Sequence, residues 1–136
     1  LSAGNPTLFV TMKYKDGVDH ARLSPEGYAA LKQLYGAPFC VFVFSPTRHG
    51  AYSRMFAPDY GIAEDPATGS STGPLAAYMM RHGLLSGKEG ARYVSEQGCR
   101  MGRRSVLHIH LLGDKGAAGI EVGGQVAPVA TATMTV

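Results

Sequence analysis

The ten residues Glu64-Asp65-Pro66-Ala67-Thr68-Gly69-Ser70-Ser71-Thr72-Gly73 run straight into Pro74-Leu75-Ala76-Ala77-Tyr78-Met79-Met80, and this junction narrows the possible folds more than any other stretch. Its first part is dense in residues that turn or cap a chain. Its second is rich in helix formers and closes at Gly83 behind Arg81 and His82. The pattern predicts a helix from about Ser70 to His82, roughly 20 Å long at 1.5 Å per residue. Pro74 is tolerated only in a first turn, where no amide is needed, so the cap is expected late, at Gly69 to Ser71. The middle of the helix is apolar on nearly every face, which predicts burial within other structure rather than an amphipathic surface position.

A first turn of this kind offers free amides at the positive end of a helix dipole, an arrangement suited to anions. Thr68, Ser70, Ser71 and Thr72 add hydroxyls able to orient a carboxylate or phosphate. Asp65, just upstream, is the unusual residue: a carboxylate there is repelled by a bound anion and favoured by the dipole, a conflict typical of acid/base residues. The same residues also have a plainer reading, in which Asp65 opens a turn with Pro66 and the hydroxyls cap a core helix.

At 136 residues the chain is one domain, long enough to bury a core without staples. A hydrophobic share of 45% against 17% charged residues excludes a disordered chain. No apolar run approaches the roughly 18 residues of a membrane span and no signal-peptide pattern stands at Leu1, so no membrane association is expected. The first residue is not methionine, which points to a processed chain or one piece of a longer polypeptide. A net charge of +3, with Arg92, Arg100, Arg103 and Arg104 only loosely clustered, is too sparse for a nucleic-acid stripe. Two cysteines make no disulfide framework and fit a reducing cytoplasm. Cys40, inside the run Phe39 to Phe44, is expected as a buried small hydrophobe. Cys99, between Gly98 and Arg100, is a candidate for an exposed thiol of lowered pKa.

In chain order, Gly4-Asn5-Pro6 is a turn before a strand at Leu8 to Met12, and Gly17 to His20 reads as another turn. Ser24-Pro25-Glu26 starts a helix that runs to about Tyr35, with Leu31, Leu34 and Tyr35 facing inward and Gly36 as the stop. Phe39 to Phe44 predicts a strand covered on both faces. Gly50 to Phe56 and Arg92 to Gln97 are further strands, and Arg54 is expected to point either to the site or to solvent. In Ser105 to Leu112, His108 and His110 share one face by alternation, a pair able to ligate a metal but without a carboxylate or cysteine at matching spacing. Ile120 to Val122 and Gln125 to Ala127 flank Gly123-Gly124 as a two-residue hairpin, and Val129 to Val136 is a possible last strand. About seven strands and two helices, one apolar all round, predict an α+β architecture of mostly antiparallel strands wrapped around a buried helix.

Residues Arg54-Met55-Phe56-Ala57-Pro58, Gly61 through Ser70, Gly73-Pro74-Leu75-Ala76-Ala77-Tyr78 and His82-Gly83 resemble the phenazine-biosynthesis PhzF-like family. Glu96-Gln97-Gly98, Met101-Gly102-Arg103 and Val122-Gly123-Gly124 extend the resemblance over most of the chain. It implies a diaminopimelate-epimerase-like fold, whose two halves are each a curved, barrel-like sheet around a central helix, with this single domain, residues 1–136, as the C-terminal half. It further implies that Asp65 stands where the epimerases place a cysteine and acts in acid/base catalysis. Ser70 orients the substrate, while Thr68, Gly69, Ser71 and Asn5 of the glycine-asparagine-proline turn contribute to a carboxylate cradle.

The implied reaction is proton abstraction next to an unsaturated or carboxylated carbon with reprotonation elsewhere, an isomerisation without metal or organic cofactor. The substrate would be a small carboxylate-bearing molecule. The family's glutamate base and a histidine belong to its first half, and neither signature occurs here. The expected partner is therefore the missing half or, alternatively, a second copy in a homo-oligomer; a non-catalytic binding module that keeps the fold is the rival reading. Two residues depart from the family pattern: Arg104 stands where proline is common, and Ser71 where alanine is common.

Overall fold

The computed structural model describes residues 3–135. Strand β1 is Thr7–Thr11, and helices α1, Lys15–Asp19, and α2, Pro25–Tyr35, follow. Strands β2, Cys40–Thr47, β3, Gly50–Ala57, and β4, Ile62–Asp65, lead into helix α3, Gly69–Arg81. Strands β5, Arg92–Gln97, β6, Ser105–Leu112, and β7, Gly119–Gly123, complete the chain. The strands form one curled sheet in the order β1-β2-β3-β5-β6-β7, with β4 also paired to β3. The β1–β2 and β3–β5 pairs are parallel and the other four are antiparallel.

The apolar run of β2 fixes the layering. Successive strand side chains point to opposite faces, and Cys40 through Phe44 are all buried. Cys40, Phe42 and Phe44 pack with Met55, Leu75 and Met79 on the α3 side. Val41 and Val43 pack with Val18, Tyr28, Tyr52 and Phe56 on the side of α1 and α2. The strand covered on both faces is thus as expected: helices lie on both sides of the sheet.

The α3 core differs from its expectation in two ways. Its buried residues are Ser71, Thr72, Leu75, Ala76 and Met79, spaced so that they line one face; Pro74, Ala77, Tyr78 and Met80 are half-buried. The apolar character all round is therefore not matched by burial all round, because the sheet covers a single side. Thr68 is the N-cap, so Pro74 lies in the second turn rather than the first, and its ring removes the amide that would bond the Ser70 carbonyl.

Four further expectations are corrected. In α2, Leu31, Leu34 and Tyr35 face outward, with Leu34 86% exposed, and Tyr28 is the buried residue. The Tyr28 hydroxyl lies 2.9 Å from the Phe39 carbonyl and 2.8 Å from Asp59 Oδ2, two acceptors that share its single proton, and Lys32 Nζ reaches Asp59 Oδ1 at 2.7 Å. Leu31 and Tyr35 lie on the same helix stripe as Tyr28 and Lys32, yet with Leu34 they border an open groove beside Leu8 and Phe39 and so stay exposed. Gly17 to His20 falls largely within the short helix α1, which places Val18 in the core. The hairpin lies one connection earlier than Gly123-Gly124: β7 pairs with β6, Ile109 opposite Val122, and the turn between them uses positive φ at Gly113, Lys115, Gly116 and Gly119. Residues 124–135 form no strand; Val136 lies outside the described residues.

Candidate functional site

Strand β4 ends in Asp65, opposite Met55 of β3 across a bulge. The next three residues turn into α3, and this turn is held by a residue from a distant strand. Gln97, the last residue of β5, is completely buried. Its Oε1 accepts from the Thr68 amide at 3.2 Å, and its Nε2 donates to the Asp65 carbonyl at 2.6 Å and to Thr68 Oγ1 at 2.9 Å. The Thr68 hydroxyl in turn donates to Asp65 Oδ2 at 2.6 Å, while Asp65 Oδ1 has a single long contact of 3.4 Å from the Ala67 amide. Gly98, at φ +76, lets the β5 chain pass close by; a Cβ there would sit 2.2 Å from the Arg103 carbonyl oxygen and 2.9 Å from that of Pro66.

The start of α3 supplies the amides expected of it. The Thr72 amide bonds back to the Thr68 carbonyl at 3.2 Å, so those of Gly69, Ser70 and Ser71 precede the hydrogen-bonded ladder. A concavity of about 200 Å³ opens at this end, with Asn5, Asp65, Thr68, Gly69 and Ser70 on its wall and Cys40, Met55 and Ala57 beneath. Five of the six residues singled out from the sequence therefore meet in one pocket. Ser71 does not line it: its side chain is buried and its Oγ lies 2.9 Å from Thr7 Oγ1, whose hydroxyl also reaches the Asn5 carbonyl at 3.2 Å. Ser71 thus tethers the turn that carries Asn5. Burial, and after it the charge of Asp65, raises the pKa of the Cys40 thiol in the pocket floor.

Arg54 points neither into the pocket nor to solvent. Its Nε and Nη2 make a bidentate pair with Glu64 at 2.9 and 2.8 Å, and Nη1 donates to the carbonyls of Val18, Asp19 and Ala21. It straps the end of α1 to β4, one residue before Asp65. Its pKa is raised, chiefly by the hydrogen bond to Glu64. Cys99 is half-buried, and burial followed by the Glu96 hydrogen bond raises its pKa, so the lowered value expected from Arg100 does not hold. Arg104 pairs with Glu96 at 3.1 Å, and that hydrogen bond holds the Glu96 carboxyl below its ordinary range.

A larger groove of about 680 Å³ lies across the Ala67–Gly69 wall, between Arg104, His108 and the Gly123-Gly124 stretch. His110 meets a carboxylate that sequence spacing did not show, Glu121 of β7, at 3.0 Å. Among the described residues no three His, Cys, Asp or Glu side chains gather in a metal-binding group, and no helix is long and apolar enough to cross a membrane. The contact that the sequence does not reveal is that of Gln97 with the Asp65–Thr68 turn. The available signal was its alternation with Ser95, which places both on one face of β5.

The chain matches the phenazine biosynthesis-like protein family over residues 1–132. It is 30% identical over 130 residues to the uncharacterized isomerase YddE of Salmonella typhimurium, covering 91% of this chain and 43% of that protein. It is 33% identical over 120 residues to the trans-2,3-dihydro-3-hydroxyanthranilate isomerase of Pseudomonas aeruginosa, covering 82% and 42%. Among solved structures, a predicted epimerase of Pseudomonas aeruginosa superposes with a TM-score of 0.70 at 31% identity, covering 99% of this chain and 44% of the other. A PhzF-family phenazine biosynthesis protein of Bacillus anthracis superposes equally well, at 0.70, with 20% identity, a likeness of fold alone. The chain spans less than half the length of each of these proteins.

Proposed function

Since the chain belongs to the phenazine biosynthesis-like protein family, we propose that it forms the second half of a PhzF-like isomerase. Its reaction is a cofactor-independent proton transfer on a small carboxylate-bearing substrate. The observation that carries this reading is the single pocket uniting Asn5, Asp65, Thr68, Gly69 and Ser70 at the start of α3. The substrate carboxylate sits on the amides of Gly69, Ser70 and Ser71, where unpaired N–H groups and the helix dipole favour negative charge. The Ser70 hydroxyl and the Asn5 side chain orient it. Asp65 exchanges a proton with the reacting carbon as general acid or base. A second polypeptide supplies the glutamate base opposite Asp65, and α3 is the central helix of one half of a diaminopimelate-epimerase-like fold. The two unpaired cysteines fit a cytoplasmic protein.

The first measurement is the composition of the native preparation by mass spectrometry, where a first-half polypeptide is expected. The reconstituted pair is then incubated in D2O with trans-2,3-dihydro-3-hydroxyanthranilate, the compound named for one relative, and deuterium entry at carbon is followed. Asp65→Asn is expected to reduce turnover by at least about 100-fold with little change in folding. Equal turnover in the variant removes Asp65 from the mechanism. A second reading, an association module that keeps the fold, is favoured by a different feature: an apolar groove of about 290 Å³ between β1 and α2, lined by Leu8, Leu31, Leu34, Tyr35 and Phe39.

A further inference from the structure

The proton chain behind Asp65 has only one possible direction. The Asp65 carbonyl can only accept a hydrogen bond and the Thr68 amide can only donate one. Together these fix the orientation of the buried Gln97 amide, Nε2 toward the carbonyl and Oε1 toward the N–H. Flipping the amide would set donor against donor and acceptor against acceptor. The second Nε2 hydrogen therefore points at Thr68 Oγ1, 2.9 Å away. A hydroxyl that accepts there must send its own proton elsewhere, and the acceptor in line is Asp65 Oδ2 at 2.6 Å. Oδ2 is thus the acceptor in this arrangement. A proton on it would confront the Thr68 proton, and if the hydroxyl accepted from both sides its own proton would have no other acceptor among the described residues. Among the described residues Oδ1 has only the 3.4 Å contact from the Ala67 amide, and Asp65 borders the open pocket.

We propose that Gln97 is a positioning residue: through Thr68 it fixes the direction of this chain and so assigns proton transfer to Oδ1 of Asp65. The proposal rests on the acid/base reading of Asp65. It divides the carboxylate into two oxygens with separate duties. Oδ2 locks the side chain in place, and Oδ1 takes the proton from, or returns it to, the substrate carbon. Because Gln97 is uncharged and buried, it does this without adding an ionisable group beside Asp65, and it also holds the Asp65 carbonyl, so the backbone and the carboxylate are set by one side chain.

A neutron structure of the 136-residue chain in D2O tests the direction without any assay. At neutral pH the Thr68 deuteron is expected on the line to Asp65 Oδ2, and at acidic pH the carboxyl deuteron on Oδ1. A deuteron on Oδ2, or a Thr68 deuteron aimed at Gln97, overturns the proposal. Kinetics of the reconstituted pair with trans-2,3-dihydro-3-hydroxyanthranilate test the consequence. Thr68→Val and Gln97→Glu, which break and reverse the chain, are expected to lower kcat about 100-fold with KM changed less than about threefold; Thr68→Ser should recover most of what valine loses. Equal losses in kcat and in thermal stability, with no recovery by serine, would mean that Gln97 only holds the fold. If Asp65→Asn keeps full turnover, the acid/base reading itself falls. If Asp65→Asn is inactive while Thr68→Val and Gln97→Glu keep kcat, only the role of Gln97 falls.

Discussion

Gly98 and Gly102 both adopt left-handed φ, +76 and +67, in the same turn after β5, yet their surroundings differ. Around Gly102 a Cβ would meet nothing within 4 Å, whereas at Gly98 it would strike the Arg103 and Pro66 carbonyls. Alanine at 102 therefore incurs only the left-handed strain, about 1–2 kcal/mol. Alanine at 98 adds a backbone collision that no rotamer relieves, and the expected loss is about 3 kcal/mol or more. Urea unfolding of the two variants measures the difference, and equal losses would show that the approach of Gly98 to the Asp65–Thr68 turn is not a tight one. The pair also shows why sequence alone undervalued this region. Glu96-Gln97-Gly98 could be recognised as a motif, but Gln97 touches residues 29 and 32 positions away, and such a contact has no periodicity to betray it. Asp65, Thr68, Gly69 and Ser70 were legible because turn chemistry and helix start are local properties.

The same division holds for whole elements. The run in β2 and the presence of α3 could be read directly, since a continuous apolar strand and a loop-to-helix junction are each determined by their own residues, although Pro74 drew the expected cap to Gly69–Ser71 and the helix begins after Thr68. The orientation of α2 could not. Leu31, Leu34 and Tyr35 are spaced as an apolar stripe should be, but the helix rests on Tyr28, whose hydroxyl binds Phe39 and Asp59 and whose ring centroid lies 4.7 Å from that of Phe39. Burial, and then the Asp59 hydrogen bond, raises the Tyr28 pKa to about 12. Tyr28→Phe keeps the ring and removes the donor, leaving the Phe39 carbonyl without it. The expected cost is about 1–2 kcal/mol, with amide hydrogen exchange rising across α2 more than across α3. Uniform faster exchange in both helices would mean that Tyr28 supports the core in general rather than seating α2. The misplaced hairpin has a related cause: Ile120 to Val122 were read against the residues that follow them, and β6 provides the partner instead.

For the molecule as a whole, the sheet separates two surfaces that the two functional readings would use. Cys40, Met55 and Ala57 beneath the site pocket belong to the core on the α3 side. The apolar groove of Leu8, Leu31, Leu34 and Tyr35 lies beside α2, whose Tyr28 belongs to the core on the opposite face. On the proposed reading, a first-half partner meets the chain at the Asp65 pocket, and the groove on the other face stays open to a separate association. Large apolar groups gathered at a surface drive association, and Leu34, 86% exposed, is the most accessible of them. Light scattering of the isolated chain is expected to give a mass above that of the monomer at high concentration. Leu34→Glu should weaken that association about 10-fold or more, because a carboxylate would have to be desolvated in the contact. As Leu34 lies outside the Asp65 pocket, the substitution should leave turnover of the reconstituted pair unchanged. A monomeric wild-type chain at high concentration would remove the association reading and leave the isomerase half standing alone. Loss of turnover in Leu34→Glu would instead show that the first-half partner docks through the groove.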